Sequence, residues 1–298
     1  MNKIRWLGMT TALCLSLAVS LSQAATATAH RTHLRYSNRA SLTDPALRSS
    51  AALVLDISNS SVLYARHSEV AVPIASITKL MTALVVVEAN QPLDEMLTIT
   101  DDDRFHGRGA FSRLAPGTQL SRGDLMHLAL MASENRAAHA LGRGYPGGVA
   151  ACVVAMNAKA RELGMMSAHF VEPTGLSDEN VASPEDLSKL VLAAGKIAAI
   201  RTYSTDSDYA VQVGRHLVHF RNTDSLVSKP DWNIVVQKTG YIHEAGRCLV
   251  MQTVIEDRSV VIVLLNSFGK RTRVADARRI RRWMESTLHA PGQQPETT

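Results

Sequence analysis

The stretch CLVMQTVIEDRSVVIVLL, Cys248–Leu265, decides the architecture. Its two runs, Cys248–Ile255 and Ser259–Leu265, are rich in β-branched residues, and Glu256-Asp257-Arg258 between them reads as a tight turn. Strands joined so closely pair antiparallel. Working outward, Ile234–Gln237 is a further strand-like run. Near the other end of the chain, Ala51–Ile57 and Val62–Tyr64 flank Ser58-Asn59-Ser60 in the pattern of a second hairpin. Between these ends the period changes to helical. Ile77, Leu80, Met81, Leu84, Val85 and Glu88 follow a three-to-four spacing, and Ser76 stands where an N-cap is wanted, which predicts a helix from Ser76 to Glu88. Leu120–Ala140 and Gly148–Leu163 read as long helices, and Ser183-Pro184-Glu185-Asp186 reads as an N-cap followed by proline at the first helical position. Thr272–Leu288 reads as a basic amphipathic helix with Val274, Ala277, Ile280 and Met284 on one face. Strands at both ends around a helical middle predict an α+β domain over 47–288, an antiparallel sheet flanked by helices with an inserted helical lobe. The sheet lobe is expected over about 47–75 and 206–288 and the helical lobe over about 76–205, with 289–298 as a tail.

The 298 residues are 46% hydrophobic and 20% charged, which excludes collagen-like, coiled-coil and disordered classes. A formal charge of +5 without runs of like charge is a weak argument for nucleic acid, and no nucleic-acid partner is expected. Met1–Ala24 places Lys3 and Arg5 ahead of the apolar stretch Trp6–Leu21, which ends in Ser22-Gln23-Ala24, the pattern of a secretory signal. That stretch is interrupted by polar residues and falls short of the ~20 apolar residues of a membrane span. Cys14 follows Leu13, where a lipoprotein signal wants a small residue. Loss of 1–24 lowers the formal charge by two, leaves no membrane span in the mature chain, and leaves Cys152 and Cys248, whose pairing stays open. Residues 25–46 carry no apolar period and read as a flexible lead-in.

Three short patterns carry chemistry: Ser76-Ile77-Thr78-Lys79, Ser133-Glu134-Asn135 and Lys238-Thr239-Gly240. Each alone has a plainer reading, as a helix cap, a solvated helix end, and a strand before a turn. Ser267-Phe268-Gly269-Lys270 is a second Ser-x-x-Lys, so order and placement must decide. The first pattern opens a helix, the second lies in the helical lobe, and the third ends a strand. A helix sets Lys79 beside Ser76, as a nucleophilic hydroxyl needs of its base. An ammonium cannot be that base, so burial and a second cation, Lys238, are expected to favour neutral Lys79. Ser133 is a candidate proton relay to a leaving amine and Asn135 a candidate hold on a peptide amide. Gly240 leaves the strand edge open for an extended substrate. The N–H groups of Ser76 and Tyr241 are candidate oxyanion donors, a contact typically worth ~3 kcal/mol in the barrier.

Other patterns give less. Gly142-Arg143-Gly144-Tyr145-Pro146-Gly147 matches a dinucleotide glycine pattern but follows a helix, and reads as a loop. His216 and His219 lack further ligands and read as a surface hairpin, so no metal and no cofactor is expected. Asp101-Asp102-Asp103 reads as a solvated turn or helix entry, and Met165-Met166 as core.

The three patterns in this order form the combined signature of penicillin-binding proteins and serine β-lactamases. Together with Arg136-Ala137-Ala138, Phe170-Val171-Glu172-Pro173-Thr174-Gly175-Leu176 with Asn180 and Asp186, and Ala245-Gly246-Arg247-Cys248-Leu249-Val250-Met251, the sequence closely resembles low-molecular-mass penicillin-binding proteins from about residue 48 to 287. The best match is the D-alanyl-D-alanine endopeptidase type, within the serine D-Ala-D-Ala carboxypeptidase and β-lactamase-like superfamily. The resemblance implies a β-lactamase/transpeptidase-like fold and a periplasmic serine hydrolase. It would act on peptidoglycan peptides through an acyl-enzyme and be acylated at the same serine by β-lactam antibiotics. It also places Lys238, Thr239, Gly240 and Tyr241 with the substrate. No Glu-x-x-Leu-Asn deacylating element occurs, so rapid antibiotic hydrolysis is not expected. The chain stops about ten residues after its last helix, where many carboxypeptidase relatives append a second domain, and Glu134 fits the endopeptidase type. Against that, Arg273 lies where carboxypeptidase relatives place an arginine that reads a terminal carboxylate, or it is a solvated helix start. A carboxypeptidase, and an idle cell-wall-binding protein of the same fold, stay open.

Overall fold

The computed structural model describes residues 44–105 and 112–288 and the two-residue strand Arg35–Tyr36. The expected signal 1–24, the tail 289–298 and most of the lead-in 25–46 lie outside the described residues. The strands in chain order are β1 (Arg35–Tyr36), β2 (Ser49–Asp56), β3 (Ser61–Arg66), β4 (Val72–Pro73), β5 (Met96–Thr98), β6 (Gln119–Ser121), β7 (Val181–Ala182), β8 (Asp208–Val213), β9 (His216–Arg221), β10 (Asn233–Ile242), β11 (Gly246–Ile255) and β12 (Arg258–Ser267). The helices are α1 (Thr78–Glu88), α2 (Arg122–Met131), α3 (Asn135–Arg143), α4 (Gly148–Glu162), α5 (Pro184–Ala194), α6 (Ala198–Thr205) and α7 (Thr272–Leu288).

The main sheet runs β1-β3-β2-β12-β11-β10, antiparallel except for the short β1–β3 pair. Glu256 and Asp257 both adopt positive φ (47° and 58°), the twist a two-residue hairpin requires between β11 and β12. Each central strand is apolar on both faces. In β12, Val261, Val263 and Leu265 join the core beneath the helical lobe, while Val260, Ile262 and Leu264 join a second core. That second core meets the stripe Ala277, Ile280 and Met284 of α7, as the helical period predicts. The sheet therefore has α7 on one face and the helical lobe on the other. On the lobe side, α1 is apolar nearly all round, and Leu80, Met81, Leu84 and Val86 are fully buried.

Several sequence expectations need correction. The helix expected from Ser76 starts instead at Thr78, after a 3-10 turn over Ala75–Ile77, and Ser76 caps nothing. The helix expected over Leu120–Ala140 is a strand and two helices. The chain breaks at Ala132–Glu134, where Ser133 has φ 59° and the Glu134 carboxylate caps α3 by accepting from Arg136 N. Gly142 and Arg143 belong to α3 rather than to a loop, and a Cβ on Gly142 would lie 2.8 Å from Pro173 Cγ. Asp103 is buried rather than solvated, and bonds His139 Nδ1 at 2.7 Å and Arg143 Nη2 at 3.0 Å. Burial works to raise its carboxyl, but these bonds outweigh it and hold the group at about 2. Met165 is core, whereas Met166 is exposed. Ser183 does cap α5, accepting from Asp186 N, with Pro184 next. His216 and His219 lie on the β8–β9 hairpin. Cys152 and Cys248 are buried and free, with their thiols pushed up by burial to about 12 and about 11.

Candidate active site

Ile74-Ala75-Ser76-Ile77 makes the turn that presents Ser76. Ala75 has φ 49°, a left-handed conformation costing ~1–2 kcal/mol for a residue with a Cβ. The surroundings hold it there: Ile77 N donates to Ile74 O at 3.2 Å and Thr78 Oγ1 donates to Ala75 O at 2.8 Å. Strand β10 presses against the same turn. A Cβ on Gly240 would fall 2.9 Å from Ile74 O and 3.2 Å from Ser76 N, so only glycine lets the strand come this close.

Lys79, one helical turn on, is fully buried and reaches back. Its Nζ donates to Ser76 Oγ at 2.8 Å, to Asn135 Oδ1 at 2.7 Å and to the Thr174 carbonyl at 2.6 Å. Burial lowers its pKa to about 7, against the carboxylates of Glu172 and Glu134, which pull it up. Burial also drives Lys238 well below an ordinary lysine, reinforced by the charges of Lys79 and Arg273. Lys238 Nζ donates to Thr239 O at 3.0 Å.

The Thr174 carbonyl has no signature in side-chain types, and motif reading misses it. Its position is set by Glu172, whose carboxylate accepts from Thr174 N and Thr174 Oγ1 at 2.6 Å, from Gly175 N at 2.5 Å and from Asn180 Nδ2 at 2.8 Å. Asn180 Nδ2 also lies 3.2 Å from Thr78 Oγ1, and Ile74 N donates to Asn180 O at 3.1 Å, so the loop is sewn to the Ser76 turn. Gly175 has φ 80°, and a Cβ there would fall 2.0 Å from Ala75 O.

Ser133 stands in the α2–α3 break, two residues before Asn135. Thr223, another residue without a motif, links that break to β10. Its N donates to Met131 O at 3.1 Å, and its Oγ1 lies 2.6 Å from Thr239 Oγ1. Arg273 at the start of α7 is buried, not solvated, and donates from Nη1 to Gly240 O at 3.2 Å. Asp224, buried close enough for the Arg273 and Lys238 charges to favour its ionised form, has its carboxyl raised overall by burial. Tyr241 is 54% exposed, with the Arg247 guanidinium over its ring. The second Ser-x-x-Lys, Ser267–Lys270, ends β12 outside any helix, so its residues do not face one another as Ser76 and Lys79 do.

A buried lysine held by two further oxygens against one serine hydroxyl is an arrangement for proton removal, and the edge strand beside it, open at Gly240, can take an extended peptide. Comparison with known proteins identifies the family. The S11 peptidase profile, described as D-alanyl-D-alanine carboxypeptidase, matches residues 38–269. The chain is 48% identical over 242 residues to a D-alanyl-D-alanine endopeptidase of Pseudomonas aeruginosa, covering 80% of this chain and 78% of that one. It is 44% identical over 244 residues to a D-alanyl-D-alanine endopeptidase of Escherichia coli, covering 81% and 79%. The Streptomyces K15 DD-transpeptidase superposes with TM-score 0.74 at 24% identity, over 82% of this chain and 98% or more of that one, which shows the shared fold.

Proposed function

The chain belongs to the S11 family of serine D-Ala-D-Ala peptidases, and from that membership we propose that it is an endopeptidase opening the D-alanyl-meso-diaminopimelyl cross-links of peptidoglycan. The reading of the catalytic centre rests on one observation, the set of three oxygens around Lys79 Nζ. In the neutral amine, two N–H bonds satisfy Asn135 Oδ1 and the Thr174 carbonyl, and the lone pair is left facing the Ser76 hydroxyl. Lys79 then takes the Ser76 proton as Oγ attacks the D-alanyl carbonyl carbon. The N–H groups of Ser76 and Tyr241 receive the developing oxyanion. Ser133 relays the proton held by Lys79 to the departing amine, the tetrahedral species collapses to an acyl-serine, and water hydrolyses the ester. Asn135, Lys238, Thr239 and Gly240 hold the peptide along β10, and Arg273 takes a carboxylate on the leaving side. A β-lactam acylates the same Ser76 Oγ. Met1–Ala24, as an export signal, would deliver the chain to the periplasm, where that substrate is found. Among the described residues no helix is long and apolar enough to cross a membrane.

The test uses purified protein. Ser76→Ala is expected to abolish covalent labelling by a fluorescent penicillin, and a variant that still gains the adduct mass would remove Ser76 from the reaction. Chromatography of digested muropeptides is expected to show loss of dimers. The buried Arg273, bonded beside the peptide-binding strand, favours a second reading, a carboxypeptidase that grips one terminal carboxylate. Loss of terminal alanine from pentapeptide monomers with dimers intact would establish that reading instead.

A further inference from the structure

A groove of about 670 Å3 opens beside Arg273 and runs along α7. Its wall includes Thr223, whose hydroxyl meets Thr239 Oγ1 at 2.6 Å, so the groove lies one residue away from the peptide-binding strand. Arg273 lines the same end. Its Nη1 is spent on Gly240 O, but its buried Nε has no hydrogen-bond partner. Beyond it the walls carry Lys229, Lys270, Arg271, Arg278, Arg279 and Arg282, and among the described residues no carboxylate. Arg278 and Arg282 lie one turn apart on α7, and Arg271 immediately precedes its first residue. Within the groove Arg279 pairs with Asp276, and outside it Arg281 pairs with Glu285 and Asp231. The other cations of the groove have no ion-pair partner among the described residues. Like charges left unpaired on one concave wall repel one another, and an anionic chain lying there relieves that cost.

We propose that this groove binds the carboxylate-bearing stem peptide on the leaving side of the scissile bond, so that α7 selects cross-linked peptidoglycan over linear stems. The inference rests on the endopeptidase reading above. A terminal D-alanine ends at Arg273 and leaves the groove empty. A cross-linked partner strand continues past Arg273, and its several carboxylates meet the groove's cations. The groove favours a peptide over a lipid surface because it is concave and lies beside the strand that holds the peptide, joined to it through Thr223 and Arg273.

The test combines Arg271→Ser, Arg278→Ser and Arg282→Ser in one variant. With Ser76→Ala as the background, so that nothing is cut, the dissociation constant of a purified cross-linked muropeptide dimer is measured by titration. The groove substitutions are expected to weaken dimer binding about tenfold or more and to flatten its dependence on sodium chloride. Binding of the linear pentapeptide monomer is expected to stay within about twofold. Equal weakening of dimer and monomer, or no weakening of either, overturns the proposal. So does unchanged dimer binding accompanied by lost binding to phosphatidylglycerol vesicles, which would make the groove a lipid-facing patch. Because the readout is binding, failure of the endopeptidase reading shows separately, as wild-type protein that binds dimers without cutting them.

Discussion

At the scale of single residues, the position of Lys79 sets the pH at which Ser76 can react. Only the neutral amine can take the serine proton, and its fraction grows as pH rises through the Lys79 pKa of about 7. The acylation rate of wild-type protein by a fluorescent penicillin should therefore climb through about pH 7 and level off above it. Glu172→Gln removes a negative charge that raises that pKa, so the inflection should move to lower pH. The same substitution loosens the loop carrying the Thr174 carbonyl, so the plateau rate should fall several-fold, a size typical of lost positioning. Rates across pH 5–9 check both, and an inflection that stays put would detach Glu172 from the base. Ser76 and Lys79 were legible because a helix imposes their spacing on the sequence. The Thr174 carbonyl was not, since every residue has a carbonyl and only a folded loop says which one points inward. In the sequence Glu134 is only the middle residue of Ser133-Glu134-Asn135, a type that fits the endopeptidases. Its burial, which raises its carboxyl, follows from packing that no local pattern encodes.

At the scale of elements, the site is made by departures from regular structure, and these are where the periodic reading failed. No proline or glycine separates α2 from α3, so Leu120–Ala140 reads as one helix. The break at Ala132–Glu134 depends on Ser133 adopting φ 59°, and serine carries no mark of that. The turn at Ala75 is similar: strain at one residue moves the helix start two positions past Ser76. Gly175 is where such a departure can be tested. Alanine there must take φ 80°, and its Cβ would fall 2.0 Å from the backbone oxygen of Ala75, an atom that cannot swing away. The conformational term alone costs ~1–2 kcal/mol, and relief of the contact must displace the Ser76 turn. Gly175→Ala should lower unfolding stability by at least about 2 kcal/mol in urea titration and slow penicillin acylation of the folded protein more than tenfold. Stability lost with an unchanged acylation rate would mean that the loop yields and the turn does not.

For the molecule as a whole, the layers were readable from the strand patterns, because β2 and β12 bury both faces and must have something packed on each. The strand order was not, because no residue pattern states that β2 pairs with β12 across the length of the chain. One buried group closes that long-range junction. Asp276 of α7 accepts from Arg48 N at 3.0 Å and from Ser49 N and Ser49 Oγ at 2.7 Å, and pairs with Arg279 at 2.6 Å. It thus fixes α7 to the start of β2, on the face of the sheet opposite Lys79. Asp276→Ala leaves two backbone donors without an acceptor and should cost roughly 3 kcal/mol of unfolding stability. Its effect on chemistry should depend on which side of the sheet is probed. The acylation inflection near pH 7 should not move, because the burial of Lys79 belongs to the helical lobe. Capture of cross-linked peptide should weaken, because Arg273 rides on the same turn of α7 and loses its hold over Gly240. Penicillin labelling across pH and dimer binding measured on one preparation separate the two effects. A shifted inflection in Asp276→Ala would show that the two faces of the sheet are coupled and that α7 tunes the base as well as the binding of the strand.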